Sequence, residues 1–450
     1  MHYHTIFINR LHWGVVMNQT IKKRIEEIKQ GKVPEGYKLT KSGVLPFSWD
    51  SLELGKLVSP IQEKAHNNKF EVLSITAGIG FVNQTDKFGM VIAGAQYQNY
   101  IVLRKGDFSY NKGNSKTYPQ GCIYMLEDRD EAAVPSVFIS FRFKPEIHTY
   151  YYKHLFINGF LNRQLYRYIN AGVRNDGLLN LYNDDFYGCE IPVPSLPEQH
   201  KIAKILSTWD KAIELKEKLI EEKKRQRKWL LENLLNPESG VRLPGFEGEW
   251  ENNKMDSRGT FAKGSGISNI DCENGTEPCV KYGDIYVHYN IQFEKTVSHT
   301  SKTVLEKCPL VTKGTLLFTG SGEDTKEIGK CVVYMGNKPI GIGGDIIIMY
   351  PKTDVPLFLA YQQNTNDLIR QKAKLSQGNS IVHIYSEQIK SLRIKVPPTI
   401  EEQTAIANIL STADKEIDLL EQELEQLQKQ KKALMQLLLT GIVRVNYNST

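Results

Sequence analysis

Pro194–Leu215 reads PSLPEQHKIAKILSTWDKAIEL, and Pro398–Leu419 reads PTIEEQTAIANILSTADKEIDL. Sliding the chain by 204 residues lays one on the other, and from Pro194–Leu235 to Pro398–Leu439 the copies share 20 of 42 positions without a gap. A repeat of this strength organises the chain before any local motif does. Just upstream, LNLYNDDFYGCEIPVP ending at Pro194 matches HIYSEQIKSLRIKVP ending at Pro397 once one residue is skipped. Farther upstream the likeness fades. Each half is therefore a divergent domain followed by a shared element.

The shared element reads as a long helix. Ser195 with Glu198, and Thr399 with Glu402, have the S/T-x-x-E spacing of a capping box. Downstream, Ile406, Leu410, Ala413, Ile417, Leu420, Leu424, Leu427, Lys431, Leu434 and Leu438 alternate steps of four and three, and only Lys431 breaks the apolar stripe. The first copy places Ile202, Leu206, Trp209, Ile213, Lys216, Ile220, Lys223, Arg227, Leu230 and Leu234 on the same steps, with three basic interruptions. Such a stripe is a coiled-coil seam. Each helix spans about 38 residues before Asn236-Pro237 or Thr440-Gly441 stops it, roughly 57 Å at 1.5 Å per residue. Two related rods in one chain favour each other over a second chain, because their effective concentration is high. An antiparallel pair would set the preceding domains at opposite ends; the rival is homodimerisation of each rod.

Working outward, the two divergent regions, about Leu45–Ile191 and Leu243–Ile394, carry short β-branched and aromatic runs between turn residues. These are FEVLSIT, QNYIVL and SVFISFRF in the first, and TLLFTG, CVVYMG and DIIIMY in the second. Helical patterns follow near His154–Asn170 and Pro356–Leu375. The expected fold is α+β: two homologous domains separated by two long helices that pair as an antiparallel coiled coil, with pseudo-two-fold internal symmetry. The expected limits are an N-terminal extension and short helix at 1–44, domains at 45–193 and 241–397, and long helices at 194–240 and 398–445.

Composition bounds the function. Hydrophobic residues make up 40% of the 450 and charged residues 24%, which describes a folded chain large enough for several cores. No apolar run reaches the roughly 18 residues that cross a bilayer, and Met1–Val16 lacks the cleavage pattern of a secretory signal. A cytoplasmic protein is expected. Six irregularly spaced cysteines form neither a disulfide scaffold nor a C-x-x-C zinc pair, so buried thiols and no metal are expected. The net charge of +6 is compatible with nucleic acid without requiring it.

No catalytic constellation emerges. In FTGSGEDTKEIGK (Phe318–Lys330), Asp324 stands five positions before Gly329, where a phosphate loop needs Gly, and Cys331 follows Lys330, where it needs Ser or Thr. Neither a dinucleotide fingerprint nor a nucleophile elbow is present, nor the Asn/Asp-Pro-Pro-aromatic tetrapeptide of adenine methyltransferases. What the regions offer is polar loops mixing cations, hydroxyls and amides: RKGDFSYNKGNSKTY (Arg104–Tyr118), GSGEDTK, and KAKLSQGNS (Lys372–Ser380). Lys and Arg suit phosphates, while Asn, Gln, Ser and Arg read base edges. The candidate DNA contacts are Arg104, Lys105, Tyr110, Asn111, Lys112, Asn114, Ser115 and Lys116 in the first region. In the second they are Thr319, Ser321, Thr325, Lys326, Lys330, Lys374, Gln377 and Asn379.

The duplicated EQ-x-x-I-A-x-I-L at Glu198–Leu206 and Glu402–Leu410, after IPVPSLP and IKVPPTI, resembles the helical regions of type I restriction specificity subunits. KGDFSYNKG at Lys105 and KGTLLFTGSGEDTKEIGK at Lys313 look like the strand-loop motifs of their target-recognition domains. The resemblance implies two such domains, each reading half of a split site on double-stranded DNA. It also implies helices acting as ruler and as docking surface for two adenine-methylating modification subunits, with a separate motor-nuclease subunit cutting. The chain itself would be non-catalytic and free of cofactor. Met17-Asn18-Gln19 followed by IKKRIEEIKQGKVPEGYK resembles a usual beginning, so Met17 is an expected alternative start, and its short helix is expected to pack beside the C-terminal helix. The rival readings are a coiled-coil adaptor with two protein-binding domains, and an enzyme with an unfamiliar site.

Overall fold

The computed structural model describes residues 19–90, 94–113, 117–169, 179–267, 270–272, 275–378 and 381–446. The chain divides into two compact units, Met1–Glu217 with Glu423–Thr450, and Lys218–Gln422. The first unit contains helix α1 (Gln19–Lys29), then strands β1 (Asp50–Glu53), β2 (Val58–Pro60), β3 (Phe108–Asn111), β4 (Cys122–Met125) and β5 (Ile139–Phe143). Helices α2 (Thr149–Ile157), α3 (Asn162–Tyr168) and α4 (Asn183–Tyr187), strand β6 (Glu190–Val193) and the start of the long helix α5 (Leu196–Leu234) follow. The second unit repeats this order. It has strands β7 (Glu251–Lys254), β8 (Gly259–Lys263), β9 (Leu316–Thr319), β10 (Cys331–Tyr334) and β11 (Ile346–Pro351). Helices α6 (Pro356–Gln363), α7 (Asn366–Leu375) and α8 (Ser386–Ser391), strand β12 (Arg393–Val396) and the start of the long helix α9 (Ile400–Leu439) complete it.

The duplication extends to sheet topology. β1 pairs antiparallel with β6, and β7 with β12. The central antiparallel sheets run β2-β5-β3-β4 and β8-β11-β9-β10, the second lengthened by Gln292–Phe293 lying parallel to β10. β9 and β10 are buried at every position because both sheet faces are covered. Leu316 and Phe318 enter one core while Leu317 enters the other, as the two-residue strand period requires. The helical pattern near His154 is in fact two helices, α2 beginning at Thr149 and α3 beginning at Asn162. They are separated at Gly159, whose φ of 69° ends the first.

α5 has 39 residues and α9 has 40, and within each unit they lie antiparallel. The basic interruptions of the expected seam are ion pairs between the helices. Lys431 meets Asp210, and Lys216 meets Glu423 at 2.7 Å, in the first unit. Lys223 meets Glu416 at 2.7 Å, and Arg227 meets Asp414, in the second. The helix starts enter the domain cores: Ile202, Ala203 and Leu206 in the first unit, and Ile406, Ala407 and Leu410 in the second.

Thr399 Oγ1 accepts from the Glu402 amide at 3.3 Å, the Thr half of the expected capping box. The glutamates do something else. The buried Glu402 carboxylate accepts from Arg242 Nε and Nη2 at 3.0 and 2.7 Å, and the buried Glu198 carboxylate accepts from Arg444 Nε at 2.7 Å and Trp49 Nε1 at 2.8 Å. The neighbouring glutamines are equally matched. Gln199 Oε1 accepts from the His148 amide at 3.1 Å, and Gln403 Oε1 from the Val355 amide at 2.9 Å, each at the residue just before an equivalent helix, α2 or α6. The duplicated Glu-Gln therefore clamps each long helix to its domain.

α1 closes the first unit as expected from the sequence: Ile25 and Ile28 pack with Leu437 and Ile442, and Tyr37 donates to the Gly441 carbonyl at 2.8 Å. No described helix is long and apolar enough to cross a membrane, and no group of three or more His, Cys, Asp or Glu among the described residues is placed to hold a metal ion.

Candidate nucleic-acid interface

Arg104–Tyr118 is not one loop. Its middle is β3, a central strand roughly 10 Å long at about 3.3 Å per residue, which puts Arg104 and Lys105 beyond one end and Asn111 and Lys112 at the other. At the first end, Arg104 holds Glu63 through two hydrogen bonds of 2.6 and 2.9 Å and Glu131 through a third, and its guanidinium is raised above its ordinary range by Glu63. Lys105 is exposed beside the turn at Gly106. Tyr110 is withdrawn from the candidates: it is fully buried, stacks on Phe186 at 4.9 Å and donates to the Gln120 carbonyl at 2.8 Å. Asn111 is also occupied, bonding the Ile75 carbonyl and the Gly113 amide.

Lys112 sits where the loop leaves the sheet. Its carbonyl accepts from the Leu179 amide at 2.9 Å, so the β3–β4 loop meets the linker between α3 and α4, and a cleft of about 380 Å³ is lined by Lys112 and Leu179–Asp184. The loop returns through Gly121 at φ 72°, where a Cβ would lie 2.4 Å from the Asn111 carbonyl oxygen. Asn114, Ser115 and Lys116 lie outside the described residues.

The second unit brings the equivalent segments together. The β9–β10 loop pairs with the linker between α7 and α8, Ser321 opposite His383 and Gly322 opposite Val382. GSGEDTK and KAKLSQGNS, far apart in sequence, thus share one surface. Thr325 and Lys326 are exposed on the first, Lys374 and Gln377 on the second. The Lys326 amide donates to Asp324 Oδ1 at 2.9 Å, and Gln377 exchanges backbone hydrogen bonds with His383 at 2.9 and 2.7 Å. Asn379 lies outside the described residues.

Three candidates here belong to the base of the surface instead. Thr319 is fully buried, its Oγ1 2.7 Å from the Tyr286 hydroxyl. Ser321 is buried with Oγ 3.0 Å from His383 Nδ1. Lys330 donates to the Tyr289 carbonyl at 2.7 Å, and burial pushes its ammonium below the usual lysine range. Sequence reasoning did not single out Lys372, which anchors the base. It is 1% exposed and donates to the Gly329 and Gln363 carbonyls at 2.6 and 2.9 Å, and burial lowers it to about 8. Its place on the apolar side of an otherwise amphipathic helix was the available signal. Glu198 and Glu402 had a comparable one, since Val-Arg follows both long helices at Val241-Arg242 and Val443-Arg444.

The two units thus carry candidate surfaces at equivalent places, each made where a hairpin loop meets an interhelical linker. The second presents Thr325, Lys326, Lys374 and Gln377 over buried side chains, among them Ser321 hydrogen-bonded to His383, and the described part of the first presents Lys112 beside the linker.

Comparison with known proteins agrees with this architecture. The MjaVIII type I restriction enzyme specificity subunit of Methanocaldococcus jannaschii is 29% identical over 301 residues, 62% of this chain and 68% of the relative. The MjaX specificity subunit of the same organism, named a putative type I restriction enzyme subunit, is 24% identical over 442 residues, 91% of this chain and 97% of the relative. Among solved structures, the type I restriction-modification S subunit from M. genitalium shares the fold with a TM-score of 0.54 at 16% identity, over 87% of this chain and 96% of that one. The family described as the type I restriction modification DNA specificity domain matches residues 23–225 and 249–429. With both halves matched, the chain belongs to the family of type I restriction-modification DNA specificity proteins.

Proposed function

We propose that this chain is the DNA-reading subunit of a type I restriction-modification assembly, with recognition domains at 45–193 and 241–397 that each read one half of a split double-stranded site. The long helices set the spacer and dock two adenine-methylating modification subunits, and a motor-nuclease subunit completes the cytoplasmic assembly. The chain contributes specificity and no catalysis. One observation carries this reading: the same hairpin-loop and linker junction recurs at the same topological position in both units, on scaffolds that match while the loops differ. Of the candidates, Lys105, Lys112, Thr325, Lys326, Lys374 and Gln377 keep side chains at least partly open to a ligand.

The test is DNA binding by the assembled complex as a function of salt. Replacing Lys326 and Lys374 with Ala is expected to weaken binding and lower the salt slope by about one per lost phosphate contact. Discrimination at the half-site read by the first unit should be unchanged. Unchanged affinity and slope in folded variants would place recognition elsewhere on the domains.

A further inference from the structure

We propose that Cys272 and Cys279 form an oxidation site, a dithiol that closes into an intrachain disulfide by exchange with a small-molecule disulfide. This goes beyond DNA reading and does not rest on it. All six cysteines are free thiols, and Cys272 Sγ lies 3.8 Å from Cys279 Sγ. The two differ in setting. Cys279 is fully buried on the strand Glu277–Val280, held by Ser298 on one side and Gly341 on the other. Cys272 ends the short 3₁₀ turn Ile270–Cys272, is half-buried, and follows an Ile270 that is 79% exposed.

The difference orders the chemistry. Disulfide formation needs a sulfur separation of about 2.05 Å. The paired strand cannot supply that movement, so the turn carrying Cys272 closes onto it. Cys272, the thiol within reach of solvent, gives up its proton, attacks one sulfur of the small disulfide as thiolate and expels one small thiolate, which takes up that proton. Cys279 then attacks the Cys272 sulfur of the mixed disulfide, giving its proton to the second departing thiolate. Two protein thiols are oxidised and one small disulfide is reduced to two thiols. Burial pushes the Cys279 thiol up, which suits the resolving role better than the attacking one. Cys308, on the same unit, has its thiol directed to the Val304 carbonyl at 3.1 Å.

The experiment treats the full chain with oxidised glutathione, alkylates the remaining thiols and maps them by mass spectrometry. Alkylation at positions 272 and 279 is expected to fall about tenfold together, with an internal crosslink lighter by two hydrogens that dithiothreitol reverses. Cys279→Ser should trap glutathione on Cys272, whereas Cys272→Ser should leave Cys279 free. Circular dichroism before and after oxidation separates a local crosslink from unfolding. Full alkylation of both cysteines after oxidation, or a crosslink from Cys272 to Cys308, would overturn the proposal.

Discussion

Asp210 and Asp414 stand on the same step of the duplicated helices and are held in two ways. Each pairs with a cation of the other helix, Lys431 and Arg227 respectively. From the domain side, Asp414 accepts from the Tyr361 hydroxyl at 2.6 Å, whereas Asp210 faces Lys153 at 3.7 Å and His154 Nδ1 at 3.8 Å. The cores show a similar divergence. The first unit fills its sheet with stacked rings, Phe108 on Phe141 at 5.5 Å, while the second uses Leu316, Val333, Ile347 and Met349. At the loop bases the likeness stops: Lys372 and Tyr286 support one loop, Tyr110 and Asn111 the other. The interhelix ion pairs and the Glu-Gln clamp must satisfy charge and buried amides in a fixed geometry, so they stay alike, while the domain-side partner of the aspartate has changed. Core shape tolerates exchange at constant volume. A loop proposed to read DNA is released from both demands once its base is packed.

The largest effect should come from the shared clamp. Glu198→Ala removes a buried carboxylate, leaves Trp49 Nε1 without its acceptor and takes the ion-pair partner from Arg444, which is expected to cost about 3 kcal/mol, moderated by the partial exposure of Arg444 and its hydrogen bond to Ser48. Glu402→Ala should lower the stability of the second unit comparably if the clamp is duplicated in energy as in geometry. Denaturant unfolding of the two variants measures both. A loss confined to one variant would mean that only one copy of the Glu-Gln motif is structural.

Long periodic elements were legible in the sequence, and so was the duplication that orders them, because helix period and internal identity need no knowledge of contacts. What hid β3 was polarity. Asp107, Ser109 and Asn111 resemble loop residues, yet Asp107 is buried under two hydrogen bonds from Arg142 and Ser109 Oγ lies 2.5 Å from Ser140 Oγ. Buried polar groups satisfied by the neighbouring strand look the same in sequence as solvated ones. The partners of the seam cations were hidden similarly, since Asp210 is 221 residues from Lys431 and Asp414 is 187 from Arg227. The candidate site was legible as two regions, not as individual contacts, because which end of a strand a cation occupies depends on the strand.

A smaller effect tests the unequal loop bases. Lys372→Met unpairs the Gly329 and Gln363 carbonyls but removes a buried charge, for a net loss of about 1 kcal/mol near neutral pH. The pH dependence is more specific. Burial lowers the folded pKa from 10.5 to about 8, so between those values the unfolded chain holds a proton that the folded chain has released. Stability therefore gains with rising pH across that window, and the penalty of the buried charge is in full force below it. The Met variant should lack this gain, so its deficit relative to the unaltered chain widens from pH 8 to 10.5. A constant deficit across urea titrations in that range would mean that the ammonium is better solvated than its position implies.

The smallest effect distinguishes His154 from Tyr361. Both ring nitrogens of the buried His154 lack hydrogen-bond partners among the described residues. Burial lowers its folded pKa from 6.5 to about 4, with Lys153 and Lys431 adding to the fall and Asp210 opposing it. Between those values the unfolded chain binds a proton that the folded chain excludes, so the first unit loses stability as pH falls from 6.5 toward 4. Tyr361 has no charge change in that range, because burial raises its pKa further above the ordinary tyrosine value. His154→Tyr should copy the second unit's arrangement, letting a hydroxyl donate to Asp210, and remove this increment of acid sensitivity. Tyr361→His should install it in the second unit. The change between pH 6.5 and 5.5 is expected to be about 1 kcal/mol, small enough that hydrogen exchange resolved by unit, rather than global unfolding, is the measurement to use. If neither exchange alters protection between pH 6.5 and 5, then Asp210 compensates the imidazolium fully, and the two aspartates are energetically equivalent despite their different partners.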